Sequence, residues 1–254
     1  MTIHRSPLTY AAPAVAGHGR RIRQGLASAA IALAIAATAW ATPTDDVFAA
    51  HGAVAGKRAS FTQPVSDDVR TLADSVAGSA DHGERPFYII DKQNARLHVF
   101  DADARLVATS PVLLGAARGD DSVPGIGDRK MSEILPHERT TPAGRFVGER
   151  GRNHTGETIV WIDYDAAVSM HRVRAHVRHE RRLERLASAT SDDNRISYGC
   201  INVPAAFFDA HVWPVFGDGR KAMIYVLPET RPLERVFTLA GTRQLARTLP
   251  DPGR

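Results

Sequence analysis

The stretch that decides the fold is Phe87-Tyr88-Ile89-Ile90-Asp91, followed four residues later by Arg96-Leu97-His98-Val99-Phe100-Asp101. Both runs are rich in β-branched and aromatic residues, and a mostly polar link, residues 92–95, separates them. Two such runs around a short link predict a pair of strands joined as a β-hairpin. From about residue 85 onward the sequence therefore has the period of strands.

Segments typical of strands continue through most of the chain after this hairpin. Thr141-Pro142-Ala143-Gly144-Arg145-Phe146 predicts a turn that leads into a strand, and four more runs predict strands at residues 105–109, 158–163, 167–171 and 223–227. Helices are predicted only at residues 66–77, at 178–187 and after Pro204. We therefore expect a mainly β domain with a few short helices.

The basic charge of the chain is confined to its start. The formal net charge is +4, and residues 1–41 contain four arginines and no acidic residue. The remaining residues are therefore neutral as a whole. A neutral domain has no general electrostatic attraction for phosphate backbones, so nucleic acid is excluded as an expected partner.

Those first residues have the features of an export signal. Arg20-Arg21-Ile22-Arg23 precedes an uncharged stretch, residues 25–44, that contains Ala39-Trp40-Ala41. A basic region, an apolar region and a small-residue site predict a secretory signal cleaved after Ala41. Twenty uncharged residues could also span a bilayer, so a retained membrane anchor is the alternative. Either way we expect a periplasmic or cell-envelope protein whose membrane contact is limited to this segment.

The sequence divides into four parts on this interpretation. Residues 1–41 form the export signal, and residues 42–84 form a linker that contains a short helix. Residues 85–229 form the main domain, and residues 230–254 form a polar, peripheral C-terminal tail.

Chemistry is expected around the only cysteine, in Ile196-Ser197-Tyr198-Gly199-Cys200-Ile201-Asn202-Val203-Pro204. One cysteine excludes an internal disulfide and a Cys-rich zinc site. Most free cysteines are small buried apolar residues, whereas the adjacent Gly199 and the polar neighbours favour an exposed nucleophile. From these features alone both interpretations stay open.

A nucleophilic thiol needs a base or a positive neighbour. His171 ends the predicted strand 167–171, where a side chain can be held rigidly and still be accessible. His176 and His179 lie in the arginine-rich segment that follows, and either could reach the same place.

Four features together resemble the L,D-transpeptidase (YkuD-type) catalytic domain over about residues 85–229. The stretch Ser197-Tyr198-Gly199-Cys200-Ile201-Asn202 is similar to the Ser-His-Gly-Cys-hydrophobic-Asn or -Arg signature of that family. The other three are the opening strand at residues 87–91, the Thr-Pro-x-Gly-x-Phe turn at residues 141–146, and a histidine, His171, that ends a strand upstream of the cysteine.

The resemblance implies a β-sandwich or barrel-like fold and cysteine-dependent acyl transfer on peptidoglycan stem peptides through a Cys200 thioester. It further implies carbapenem-type inhibitors, His171 as the base and the Arg172 carbonyl as its orienting partner. The backbone amides of Cys200, Gly199 and Tyr198 are expected at the oxyanion, and the substrate-binding residues are expected to be Ser197, Asn202 and Arg195. No metal or other cofactor is expected, because the sequence contains no HExxH-type or Cys-rich cluster.

Two departures from the family pattern affect the expected site. Tyr198 replaces the usual histidine beside the glycine. His171 lies 29 positions before Cys200, a longer gap than usual, whereas His179 lies only 21 positions before it. We prefer His171 because it ends a strand and His179 falls within a predicted helix.

The extra length is the segment 172–194, which contains six arginines and two glutamates between residues 172 and 185. It is interpreted either as a solvated helix or as a lid whose arginines meet the carboxylates of stem peptides. Two other functions also stay open for the whole domain. One is an inactive peptidoglycan-binding scaffold, suggested by Tyr198, and the other is a thiol hydrolase or L,D-carboxypeptidase of the same fold.

Overall fold

Ten strands supply most of the regular structure in residues 57–239, the part of the chain that the computed structural model describes. Their bounds are β1 Phe87–Asp91, β2 Arg96–Phe100, β3 Leu106–Pro111, β4 Leu114–Gly115, β5 Gly144–Arg152, β6 Thr158–Asp163, β7 Val168–Arg172, β8 Arg195–Ser197, β9 Ile201–Val203 and β10 Ala222–Val226. The prediction of a mainly β fold with a few short helices is confirmed.

The helices of the described residues are short. They are α1 Asp67–Ser79, α2 Arg182–Ala187, α3 Ala205–Phe207 and α4 Trp213–Phe216, with a π-helical turn, Phe208–Val212, between the last two. Single 3₁₀ turns occur at Ile126–Asp128, Met131–Glu133, Pro136–Glu138, Arg178–Glu180, Ser191–Asn194 and Leu233–Arg235. None of the helices in residues 57–239 is both long and apolar enough to cross a bilayer. The predicted export signal lies outside the described residues.

Eight strands form one sheet in the order β3-β2-β1-β10-β5-β6-β7-β9. The hairpin predicted from residues 87–101 is present, with Asp91 opposite Arg96. The last strand of the described residues, β10, lies between β1 and β5, parallel to the first and antiparallel to the second. The two outer strands almost meet, because Leu113, just after β3, forms a bridge with Asn202 of β9. The sheet is therefore nearly closed.

Both faces of the sheet centre are buried. Alternate residues of β1 point to opposite faces, as the two-residue period of a strand requires, so Tyr88 and Ile90 join one apolar cluster and Phe87 and Ile89 join the other. The first cluster includes side chains of the helices after β9, among them Phe208. Helix α1 covers the second cluster. β1 is consequently apolar along almost its whole length.

Helix α1 follows from a local pattern in its sequence. Ser66 caps it, because its Oγ accepts a hydrogen bond from the amide of Val69, and acidic residues occupy the first turn. Serine caps and acidic first turns stabilise helix N-termini. The apolar residues at helical spacing are buried against the sheet: Val69, Leu72, Ala73 and Val76. The predicted helix at residues 66–77 is therefore present with slightly shifted ends.

Two segments differ from the expectations. The helix predicted over residues 178–187 is broken, because Arg181 adopts a left-handed conformation with φ of 52° between a 3₁₀ turn and α2. The tail expected from residue 230 is not peripheral over its described part, since Leu233, Phe237 and Leu239 are buried beside α1. These three residues extend the second apolar cluster and fix the segment after β10.

Candidate active site

Cys200 lies in a sharp turn between β8 and β9. Gly199 before it has φ of +123°, a conformation that residues with a side chain rarely adopt. A Cβ atom on Gly199 would also lie 2.6 Å from the carbonyl oxygen of Thr140. Glycine is therefore required at position 199 for two independent reasons, the positive φ of the backbone and the lack of space for a side chain.

Hydrogen bonds inside the turn account for the two polar residues of the motif. Ser197 Oγ donates to the carbonyl of Cys200 at 2.6 Å and accepts from the amide of Gly199 at 3.1 Å. Asn202 Nδ2 donates to the same Cys200 carbonyl at 3.2 Å. Ser197 and Asn202 are both buried, although each contributes to the wall of the cavity beside Cys200. The amide of Gly199 is engaged within the turn, which leaves those of Cys200 and Tyr198 as the expected oxyanion donors.

The sheet brings His171 beside this turn. Strands β7 and β9 are parallel neighbours, and His171 lies opposite Asn202 in their register. The Nδ1 atom of His171 is 2.8 Å from the carbonyl oxygen of Arg172. Because a carbonyl only accepts hydrogen bonds, Nδ1 carries the proton, and Nε2 remains for the thiol.

The surroundings of Cys200 favour its thiolate. Burial raises the pKa of the Cys200 thiol, but the hydrogen bond and positive charge of His171, with further hydrogen bonds from Ser169, bring the net pKa below its ordinary value. The thiol is only partly buried and is accessible from the cavity. A lowered thiol pKa with partial exposure is the environment of a reactive cysteine.

Ser169 is a member of the site that sequence reasoning missed. Its Oγ lies 3.6 Å from Cys200 Sγ. Ser169 precedes His171 by two positions on β7, so both side chains lie on the same face of that strand. The two-residue period, applied backward from His171, would have found it.

A cavity of about 270 Å³ opens beside the cysteine. Its walls include His171, Cys200 and Tyr198 on the side of the sheet, and Met131 from a 3₁₀ turn. The opposite wall comes from the arginine-rich segment: Arg174, His176, Val177, Glu180 and Arg182. His179 does not line this cavity. Of the histidines considered from the sequence, His171 and His176 therefore line the cavity, and His171 interacts with Cys200.

The arginine-rich segment contacts the cysteine motif directly. Arg182, whose side chain is 15% exposed, donates a hydrogen bond to Asn202 Oδ1 and forms an ion pair with Glu180. Arg181, by contrast, is 71% exposed and pairs with Glu184. The segment therefore contributes Arg182 and four other residues to the cavity wall, whereas Arg181 is exposed to solvent.

Arg195 is not where it was expected. Its side chain is 7% exposed and donates to both carboxylate oxygens of Glu229, at 3.1 and 2.5 Å, and to the carbonyl of Lys92 at 2.7 Å. It does not line the cavity beside Cys200. The expectation of a substrate-binding Arg195 is therefore not supported, because both terminal nitrogens of its guanidinium are bound by Glu229 and the Lys92 carbonyl.

Tyr198 and Arg172 have side-chain partners that sequence could not show. The guanidinium carbon of Arg139 lies 4.0 Å from the centre of the Tyr198 ring, so the tyrosine that replaces the usual histidine is held by a cation–π contact. The side chain of Arg172 pairs with Asp209 and lies over the ring of Phe208. Only the carbonyl of Arg172 is directed at His171.

No group of three or more potential metal ligands occurs within residues 57–239.

Comparison with solved structures finds L,D-transpeptidases among the structural neighbours of the chain. No protein-family model matches the chain, and no curated protein matches it. An L,D-transpeptidase from Mycobacterium smegmatis is 15% identical with a TM-score of 0.33, and the L,D-transpeptidase LdtMt1 in complex with imipenem is 16% identical with a TM-score of 0.31. Each match covers 56% of this chain and 58% of the other, so the chain spans less than two thirds of either relative. The function therefore has to be inferred from the chemistry of the site.

Proposed function

We propose that this chain is an L,D-transpeptidase, a cysteine acyltransferase that acts on peptidoglycan stem peptides in the cell envelope. The main support for the proposal is a pair of contacts made by His171, one with the Arg172 carbonyl and one with Cys200. Cys200 is partly exposed, and its pKa is lowered. This arrangement is that of a nucleophile, its base and an orienting group. The motifs that resemble the family supply the substrate class.

In the first step His171 holds the proton of Cys200 on Nε2, and the thiolate attacks the carbonyl carbon of the peptide bond before a terminal D-alanine. A bond forms between Sγ and that carbon, and the developing oxyanion faces the amides of Cys200 and Tyr198. The carbon–nitrogen bond then breaks, and the imidazolium donates its proton to the leaving D-alanine amine. The product on the enzyme is a thioester.

In the second step an amine of a neighbouring stem peptide attacks the thioester. His171 accepts a proton from that amine, a new amide bond forms, and the carbon–sulfur bond breaks to return the thiolate–imidazolium pair. The reaction needs no net oxidant or reductant. Replacement of the amine by water in this step would give the hydrolase of the same fold.

The direct test uses the purified protein with a tetrapeptide stem as acyl donor and with a carbapenem as acylating probe. We expect a covalent adduct by intact mass and, by muropeptide analysis, a cross-linked dimer of two stem peptides formed with release of D-alanine. An adduct that yields only shortened stems would indicate the hydrolase. A thiol that alkylates readily but forms no acyl adduct with either donor would contradict acyl transfer and leave the scaffold function.

The wall of the cavity supplies a prediction on substrate binding. Replacing Arg182 with glutamine should raise the KM for stem peptides at least about tenfold, because its guanidinium lies at the cavity and can bind a carboxylate, each charge-assisted contact being worth about 1.5–3 kcal/mol. Replacing Arg181 with glutamine removes the same charge outside the cavity and serves as the matched control. Steady-state kinetics at low salt make the comparison, and equal KM values for the two variants would contradict a binding role.

We also propose that the chain is exported, on the basis of its N-terminal sequence. The mature protein in envelope fractions should then begin near Thr42, because a small-residue site follows the apolar stretch. N-terminal sequencing of the protein from fractionated cells tests this directly. Membrane-bound protein that still carries residues before Ala41 would instead establish the anchored form.

A further inference from the structure

A fully buried lysine lies beneath the cysteine turn. Lys92, directly after β1, has no exposed side-chain surface. Its Nζ donates to the carbonyls of Gly119 at 2.5 Å and Thr141 at 2.8 Å, and to Asp120 Oδ1 at 2.8 Å. All three hydrogens of the ammonium group therefore have an acceptor.

Two buried carboxylates and one further cation complete this group, which we call the Lys92 cluster: Lys92, Asp120, Arg195 and Glu229. Glu229 Oε1 lies 3.6 Å from Lys92 Nζ, and the same carboxylate accepts from Arg195. Asp120 also accepts from the amides of Glu229 and Thr230. None of the four side chains is more than 7% exposed. Two more exposed arginines also pair with the carboxylates, Arg118 with Glu229 and Arg231 with Asp120.

Stability alone does not explain such a cluster. The desolvation of buried charges often offsets their mutual attraction, and apolar side chains of similar volume are frequently as stabilising or more so. Burial raises the pKa of Asp120, but hydrogen bonds from Lys92, Thr230 and the neighbouring amides bring its net pKa well below the ordinary value. Asp120 therefore stays charged, and a role of the cluster in fixing geometry has to be considered.

The cluster is connected to both ends of the segment that carries the nucleophile. Thr141, whose carbonyl binds Lys92, donates its Oγ1 hydrogen to the carbonyl of Gly199 at 2.8 Å and accepts from the amide of Gly115 at 2.9 Å. At the other end, Arg195 begins β8 and donates to the Lys92 carbonyl. The backbone from residue 195 to residue 199 is thus held at its start by Arg195 and at its end by Thr141.

We infer that Lys92 and Thr141 are positioning residues, which hold the Gly199–Cys200 backbone so that the Cys200 amide faces the oxyanion of the acyl transfer proposed above. The inference rests on that proposed function for its chemical meaning. Neither residue lines the cavity beside Cys200, so both act through the turn and not on substrate. A shift of about 1 Å in such a group can cost about a hundredfold in rate.

The decisive comparison is between Thr141→Val and Thr141→Ser. Valine removes the hydroxyl that binds Gly199 and Gly115, whereas serine keeps it. We expect Thr141→Val to slow acylation of Cys200 by a carbapenem at least about tenfold, and Thr141→Ser to restore most of the rate. Alkylation by iodoacetamide, which requires a thiolate but no oxyanion, should keep its rate and pH profile in both variants.

Lys92→Met and Leu72→Ala extend the test. Lys92→Met should reproduce the loss of acylation. Leu72→Ala, in helix α1 and outside the cavity beside Cys200, is the control for lost stability without a change at the site. Hydrogen exchange of the amides of residues 199–200 should become faster in Thr141→Val and Lys92→Met, relative to Leu72→Ala variants of similar melting temperature.

The outcomes separate this inference from the proposed function. Unchanged exchange at residues 199–200 in Thr141→Val, or an equal loss of acylation in Leu72→Ala, overturns the positioning role. If the unmodified protein forms no acyl adduct but exchange responds as expected, the positioning role is supported and the transpeptidase proposal fails. If Lys92→Met does not fold, the comparison of Thr141→Val with Thr141→Ser decides the positioning role.

Discussion

Replacing Cys200 with alanine should abolish covalent acylation of the protein by a carbapenem or a stem-peptide donor. Cys200 has the only thiol in the chain, and its sulfur is the atom that the proposed chemistry acylates. Because the side chain is only partly buried, we expect a loss of folding stability of about 1 kcal/mol or less. Intact mass spectrometry and thermal unfolding measure the two quantities.

Ser169→Ala is the matched control for this variant. It removes a hydroxyl 3.6 Å from the sulfur and leaves the thiol in place, so acylation should be slowed and not lost. A persistent adduct on Cys200→Ala would show that another group is acylated. A large drop in melting temperature for that variant would favour the alternative of a structural, core cysteine.

The second large effect is expected at His171. His171→Ala should slow acylation by about 10²–10⁴, the usual contribution of a positioned base. His179→Ala should leave the rate close to that of the unmodified protein, because His179 lies outside the cavity. A greater loss in His179→Ala would move the base into the arginine-rich segment and remove the Arg172 carbonyl from the mechanism.

The pH dependence of Cys200 alkylation gives an independent test of the interaction between His171 and Cys200. His171 lowers the pKa of Cys200, whereas burial raises it. Loss of the imidazole therefore leaves the effect of burial, and the pKa of the thiol should rise. The rate of alkylation by iodoacetamide, measured against pH, should shift to higher pH in His171→Ala and stay in place in His179→Ala.

Local patterns made the fold largely predictable from the sequence. The hairpin, most of the later strands and α1 follow from apolar periodicity and from composition, which depend on near neighbours. The predicted helix at residues 178–187 is broken for a reason that composition does not carry, since Arg181 is an ordinary helix former that here has a left-handed backbone. The next residue, Arg182, contacts Asn202 and Glu180, and helix propensity does not take such tertiary contacts into account.

The site was predictable where it depends on a motif and unpredictable where it depends on distant partners. Gly199, Cys200 and His171 are brought together as expected, although their catalytic roles stay a prediction. Arg195 looked like a substrate ligand because it is close to Ser197 in sequence, but its partner Glu229 is 34 positions away. Long-range ion pairs of this kind leave no local pattern in the sequence.

The central place of β10 bears on how a nascent chain can fold. Contacts between residues far apart in sequence generally slow folding, and β10 joins residue 87 to residue 223. A chain that leaves the ribosome N-terminus first cannot complete the sheet until the residues of β10 have emerged. Until then β1 and β5 present unpaired edges, which are sites for aggregation. During synthesis from the N-terminus, the pairing of β10 is therefore the step that covers the unpaired edges of β1 and β5.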